Sequence, residues 1–146
     1  MPEHKALYIL EKQAPFVVKS VPTYEPGPGE LLIKVESVGL APCDWAIQAL
    51  GIIVEKYPVI VGEDIAGTVE EVGNGVTKFK KGDRVYVRYR PGIVGCIMFL
   101  SLHAHSCRFR QSTLSPESLG GFQQYAIGIE ESTAKVRGAM MEYGQT

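Results

Sequence analysis

A chain of 146 residues is one domain's worth of sequence and can enclose a real core. Its 45% hydrophobic and 21% charged residues are ordinary for a globular protein. The net charge of −1 offers nothing to nucleic acid or an anionic membrane, and sixteen glycines with nine prolines favour a turn-rich β domain over a helical bundle.

In chain order, Lys5–Leu10 and Phe16–Val21 read as two short strands around a turn at Gln13-Ala14-Pro15. The run from Pro22 to Glu30 carries three further prolines and glycines, which predicts an extended surface loop because proline lacks an amide donor. Leu31–Val38 follows as a strand with Ile33 and Val35 on one face and Lys34 and Glu36 on the other. Asp44 is placed to cap a short helix through Ala46, Ile47, Ala49 and Leu50, ended by Gly51. Val54–Val61 is expected to be another strand. Ile65, Gly67 and Val69 then alternate with Thr68 and Glu70, Gly73-Asn74-Gly75 reverses the chain, and Lys81-Gly82-Asp83 turns it again before Val85 and Val87.

From Pro91 to Leu119 the alternation is lost, and Gly121–Ile127 restores a strand. The apolar run Ile93–Leu102 falls well short of the roughly 20 residues a membrane-spanning helix requires. Cys43, Cys96 and Cys107 form no CxxC pair, and residues 1–12 carry charge throughout, so a reduced, cytoplasmic setting is expected. His103, His105 and Cys107 alternate and would share one face of a strand. Ligands so close on one short strand rarely complete a four-coordinate site, and no metal is expected there.

Five strings occur in order: Pro26-Gly27-Pro28-Gly29-Glu30-Leu31-Leu32-Ile33-Lys34-Val35, Ala41-Pro42-Cys43-Asp44-Trp45, Gly62 through Val76, Gly82-Asp83-Arg84-Val85, and Gly121-Phe122-Gln123-Gln124-Tyr125. Together they resemble the N-terminal GroES-like domain of the medium-chain dehydrogenase/reductase superfamily. Within it they are most similar to the zinc-independent quinone oxidoreductase and fungal trans-acting enoyl reductase type. The resemblance implies a mainly β fold, a GroES-like partly open β-barrel with one or two short helices. It also implies NADP(H) as hydride donor and a small-molecule acceptor: an enone, an enoyl thioester or a quinone.

Zinc members of that superfamily carry Gly-His-Glu where this chain has Gly62-Glu63-Asp64, and a cysteine where it has Ala41; Cys43 falls two residues too late. Catalytic zinc needs three protein ligands, so the resemblance implies no zinc. It places Asp44 and Trp45 in the catalytic cleft, Pro42, Cys43 and Asp44 beside the nicotinamide, and Glu63 and Asp64 at the substrate cleft. Against these stand plainer roles: Asp44 as a helix cap, Trp45 as core packing, Glu63 as a solvated strand end.

The chain shows no Gly-x-Gly-x-x-Gly turn opening a helix, because Gly73-Asn74-Gly75 leads into another strand. A C-terminal Rossmann half is therefore expected to be missing, leaving a truncated, inactive substrate-side domain over 1–136. Family-like sequence stops at Val87-Arg88 and at Val136-Arg137, and valine codons begin with GT. These junctions predict that the insert at about 88–120 is translated intron and that a second unspliced intron supplies the tail 137–146. The rival reading is a non-enzymatic, co-chaperonin-like interaction module. It leaves Ala41–Trp45 without an explanation.

Overall fold

The computed structural model describes residues 2–52, 54–62, 64–87 and 120–136. Glu63, the insert apart from Gly120, its His103, His105, Cys96 and Cys107, and the tail lie outside the described residues.

The first two strands form as expected. β1 (Glu3–Ile9) and β2 (Phe16–Pro22) pair antiparallel in continuous register from Glu3↔Pro22 to Ile9↔Phe16. A second, five-stranded antiparallel sheet is built from β3 (Glu30–Gly39), β4 (Asp64–Val72), β5 (Arg84–Val87), β6 (Tyr125–Ile129) and β7 (Thr133–Lys135), in the order β6-β3-β4-β5-β7. β3 is paired on both edges, and its successive residues Leu31 and Leu32, on opposite faces, are both buried. Register shifts between Leu32 and Ile33 and between Val35 and Ser37 mark bulges against β4, and bulges bend and twist a strand. The curled sheet closes over Leu31, Ile33, Ile65, Val69, Phe79, Val85, Val87 and Ala126. Each large aliphatic side chain there contributes about 1.5–3 kcal/mol through removal from water.

The two sheets are stitched rather than merged. Isolated bridges join Ala6 to Gln123 and Ile9 to Val59, and Leu7 N–H donates to the Phe122 carbonyl at 2.8 Å. The result is a mainly β, partly open barrel with one α-helix and one turn of 3-10 helix among the described residues.

Val54–Val61 departs from expectation. It forms no strand, and its only ladder contact is the bridge at Val59. Pro58 removes a donor from the middle of the segment, which bends at Lys56–Pro58. Val59, Ile60 and Val61 are then all buried in succession, because the segment threads between two apolar layers instead of facing one.

The proline–glycine loop and the Gly73–Gly75 turn prove to be partners. Gly29 N–H donates to the Asn74 carbonyl at 2.9 Å, and Gly73 N–H to the Glu30 carbonyl at 2.8 Å. Gly75 has the left-handed backbone expected of the turn (φ +79°), whereas Gly73 is required for a different reason: a Cβ there would strike the Gly27 carbonyl.

Beyond β6, the Glu130 carboxylate accepts the N–H groups of Thr77 (2.9 Å) and Lys78 (2.8 Å). Those backbone donors hold its carboxyl below the usual carboxylate range. The Lys135 ammonium does the same to Asp83 at 2.7 Å. A depressed folded-state pKa gives stability that is whole above the ordinary value near 4.5 and is lost as pH falls through the folded value. Thermal unfolding of Glu130→Gln should therefore depend less steeply on pH below 4.5 than that of the parent, with the two melting curves converging in acid.

Candidate functional site

The site begins where β3 ends. α1 (Pro42–Leu50) starts with Pro42, whose ring presets a helical φ and whose missing N–H removes a donor that would have no helical partner there. The helix thus starts two residues before Asp44, and the N-cap position belongs to Ala41, not to Asp44 as the sequence suggested. Gly51 closes the helix in the left-handed conformation (φ 61°), its N–H donating to Ile47 O at 3.2 Å.

Asp44, at 5% exposure, does more than cap. One carboxylate oxygen accepts the Ala41 N–H at 2.9 Å, and the other accepts the Gly62 N–H at 3.0 Å. The side chain ties the helix N-terminus to Gly62, two residues before β4. Gly62 is held on its other side too, since its carbonyl accepts the Gly121 N–H at 2.8 Å. Its backbone is left-handed (φ +98°), and an added Cβ would lie 2.7 Å from the Phe122 ring. Only glycine fits that joint comfortably.

The structure brings Asp44 and Gly62 together and distributes the other expected residues around them. Cys43 faces inward and packs with the cluster of Ile9, Ile47, Val59 and Val61. Trp45 is 62% exposed, so the core-packing alternative is not what the structure shows. Leu40, at 84% exposure, Leu50 and Ile52 are also exposed large apolar residues on and around α1. Asp64 is half-buried and pairs with Gly39 at the start of β4. A separate surface groove of about 400 Å³ runs along Lys5–Leu7, Val18, Val35–Val38 and Gly121–Gln124, and none of Ala41–Trp45 lines it.

Among the described residues the donor set at this wall does not suit a catalytic zinc ion. Ala41 has no ligating atom and both Asp44 oxygens are occupied by backbone donors. Among the described residues no three His, Cys, Asp or Glu side chains stand together to hold a metal ion. A dinucleotide fits only in part: exposed apolar side chains suit a nicotinamide ring, but the glycine turn at 73–75 is committed to the proline–glycine loop and cradles no phosphate. Among the described residues no helix is long and apolar enough to cross a membrane.

Sequence reasoning missed His4 and Gln123 at the back of this wall. Gln123 stands in one of the five strings, and its pairing with a residue 119 positions earlier left no local signal.

Comparisons with known proteins agree with this architecture. The family model "Alcohol dehydrogenase GroES-like domain" matches residues 27–138. The dehydrogenase pigH of Monascus ruber is 32% identical over 140 residues, covering 93% of this chain and 33% of its own length. Among solved structures, acetophenone reductase from Geotrichum candidum in complex with NAD superposes with a TM-score of 0.75 at 28% identity, over 96% of this chain and 42% of that one. A cobalt- and zinc-bound thermostable alcohol dehydrogenase from Pyrobaculum aerophilum gives a TM-score of 0.71 at 28% identity, over 97% and 44%. The chain covers 33%, 24% and 26% of the length of three curated relatives it matches. It belongs to the alcohol dehydrogenase GroES-like domain family, the N-terminal domain of the medium-chain dehydrogenase/reductase superfamily.

Proposed function

We propose that this chain forms the substrate-side wall of an NAD(P)H-dependent oxidoreductase that reduces an activated double bond or a quinone without zinc. The observation that carries the reading is the wall itself: Ala41 offers no ligand, and Asp44 spends both oxygens on backbone N–H groups. A bound nicotinamide would supply the hydride. The chain's own contribution is to hold Pro42, Trp45 and Asp64 at the cleft and to keep water from the ring with exposed apolar side chains. Cys43 acts from behind, through packing that fixes the helix. Glu63 is proposed at the same cleft on the sequence alone. The domain is proposed to be 1–136, interrupted at about 88–120 and followed by a non-family tail, and to work in a reduced, cytoplasmic setting.

NADPH fluorescence tests this directly. The 146-residue chain alone is expected to show negligible binding, since its described residues lack a phosphate cradle. Binding, and reduction of an enone or quinone, should appear when a C-terminal cofactor domain from a relative is joined to it. Stoichiometric zinc retained on purification, together with oxidation of a simple alcohol by the joined protein, would overturn the proposal.

A further inference from the structure

His4 and Gln123 are both buried, at 3% and 7% exposure, and both are polar. Buried polar side chains are expensive unless they are paired, and both of these are hydrogen-bonded. The Gln123 amide nitrogen donates to the Gly120 carbonyl. Its oxygen, an acceptor only, then takes the Tyr24 hydroxyl at 3.1 Å and His4 Nε2 at 3.1 Å. His4 Nε2 is then the donor to that oxygen, and Nδ1 lies 3.2 Å from the Thr23 hydroxyl. The Tyr24 and Tyr125 rings close on the imidazole edge-on, at 5.5 and 5.6 Å.

This cluster does not end at the hairpin. Gln123 holds the bend Gly121–Phe122 by bonding the carbonyl of Gly120 before it, and its own N–H donates to the Gly121 carbonyl at 2.8 Å. Gly121 N–H in turn donates to Gly62 O at 2.8 Å, and Gly62 N–H to Asp44 at 3.0 Å. Gly120 and Gly121 leave no slack, since an added Cβ at either would strike Ile60 backbone or the Ile65 side chain. A hydrogen-bonded series thus runs from the N-terminal hairpin, through Gln123 and Gly62, to the N-terminus of α1.

We infer that Gln123, oriented by His4 and Tyr24, is a positioning residue for the candidate site, setting the placement of Gly62 and through it the Asp44 clamp on α1. The inference rests on the reading of Ala41–Trp45 and Gly62 as the site wall, but its test uses neither cofactor nor substrate. A failed reductase assay and a failed positioning test are therefore separate results.

The experiment is amide NMR and hydrogen exchange on the full chain. Gln123→Leu should shift the Gly62 and Ala41 amide resonances and speed Gly62 exchange at least tenfold. Val85→Ala, which loosens the sheet core away from this series, serves as the stability control and should leave both amide shifts in place. Gln123→Glu keeps an acceptor for His4 and Tyr24 but sets a second acceptor against the Gly120 carbonyl, so it should move the same two amides. His4→Gln, which retains a donor facing Gln123, should restore near-parent shifts, whereas His4→Leu should not. If Gln123→Leu fails to fold, Gln123→Glu and the His4 pair carry the test. Gly62 and Ala41 amides that move no more in these variants than in Val85→Ala would overturn the inference.

Discussion

Asp44→Ala is expected to lower unfolding stability by about 3 kcal/mol, since each hydrogen bond to a charged group contributes about 1.5–3 kcal/mol. Two backbone donors, Ala41 N–H and Gly62 N–H, lose their acceptor at once, and the Gly62 bond is buried. Small domains have total stabilities of about 5–15 kcal/mol, so the change consumes a large share of what holds the fold. Asp44→Asn retains one acceptor oxygen and turns an amide NH2 toward the second donor. Its loss should be nearly as large as that of the alanine variant, which separates a two-acceptor clamp from simple packing. Urea unfolding of both variants gives the answer, and a change below about 0.5 kcal/mol, the range of surface substitutions, would show that the carboxylate does not clamp the helix.

Gly67→Ala is expected to be at least as damaging, at about 3 kcal/mol, the upper end of overpacking costs. Gly67 sits in β4 opposite Val35, and a Cβ there would collide with the carbonyl of Lys34 in the neighbouring strand. That obstacle is main chain, so relief means separating β3 from β4 at the centre of the sheet. Gly75→Ala is the informative comparison. Its φ of +79° disfavours any Cβ, but nothing lies within 4 Å of the added atom. Only the left-handed backbone cost of about 1–2 kcal/mol applies there. Equal destabilisation of the two variants would mean that the β3–β4 spacing yields more easily than the structure indicates.

The contrast between these glycines shows what sequence reading captures. Gly75 and Gly82 were legible as turn residues because turns announce themselves locally, and both have positive φ. Gly67 and Gly73 stand in the same string as Gly75, yet their reasons are contacts with Lys34 and Gly27 in other elements. The same division runs through the site. The alternation read in β4 and β5 is matched by the structure, where Ile65, Val69, Val85 and Val87 all lie in the core. Asp44, however, was expected to cap the helix as its first residue, because its carboxylate's second partner lies 18 positions away. Val54–Val61 looked like a strand from its apolar content, and the structure makes it a buried connector kept out of the ladder by Pro58.

By itself the sequence determined the family, the mainly β class and the turns, because side-chain period and turn chemistry act over a few neighbouring residues. The tertiary structure alone decided that Asp44 is a clamp, that Trp45 faces solvent, and that His4 and Gln123 brace the wall from behind. Each of those depends on which distant backbone groups come within hydrogen-bonding range, and that distance is set by the packing of the two sheets rather than by any residue's neighbours in the chain.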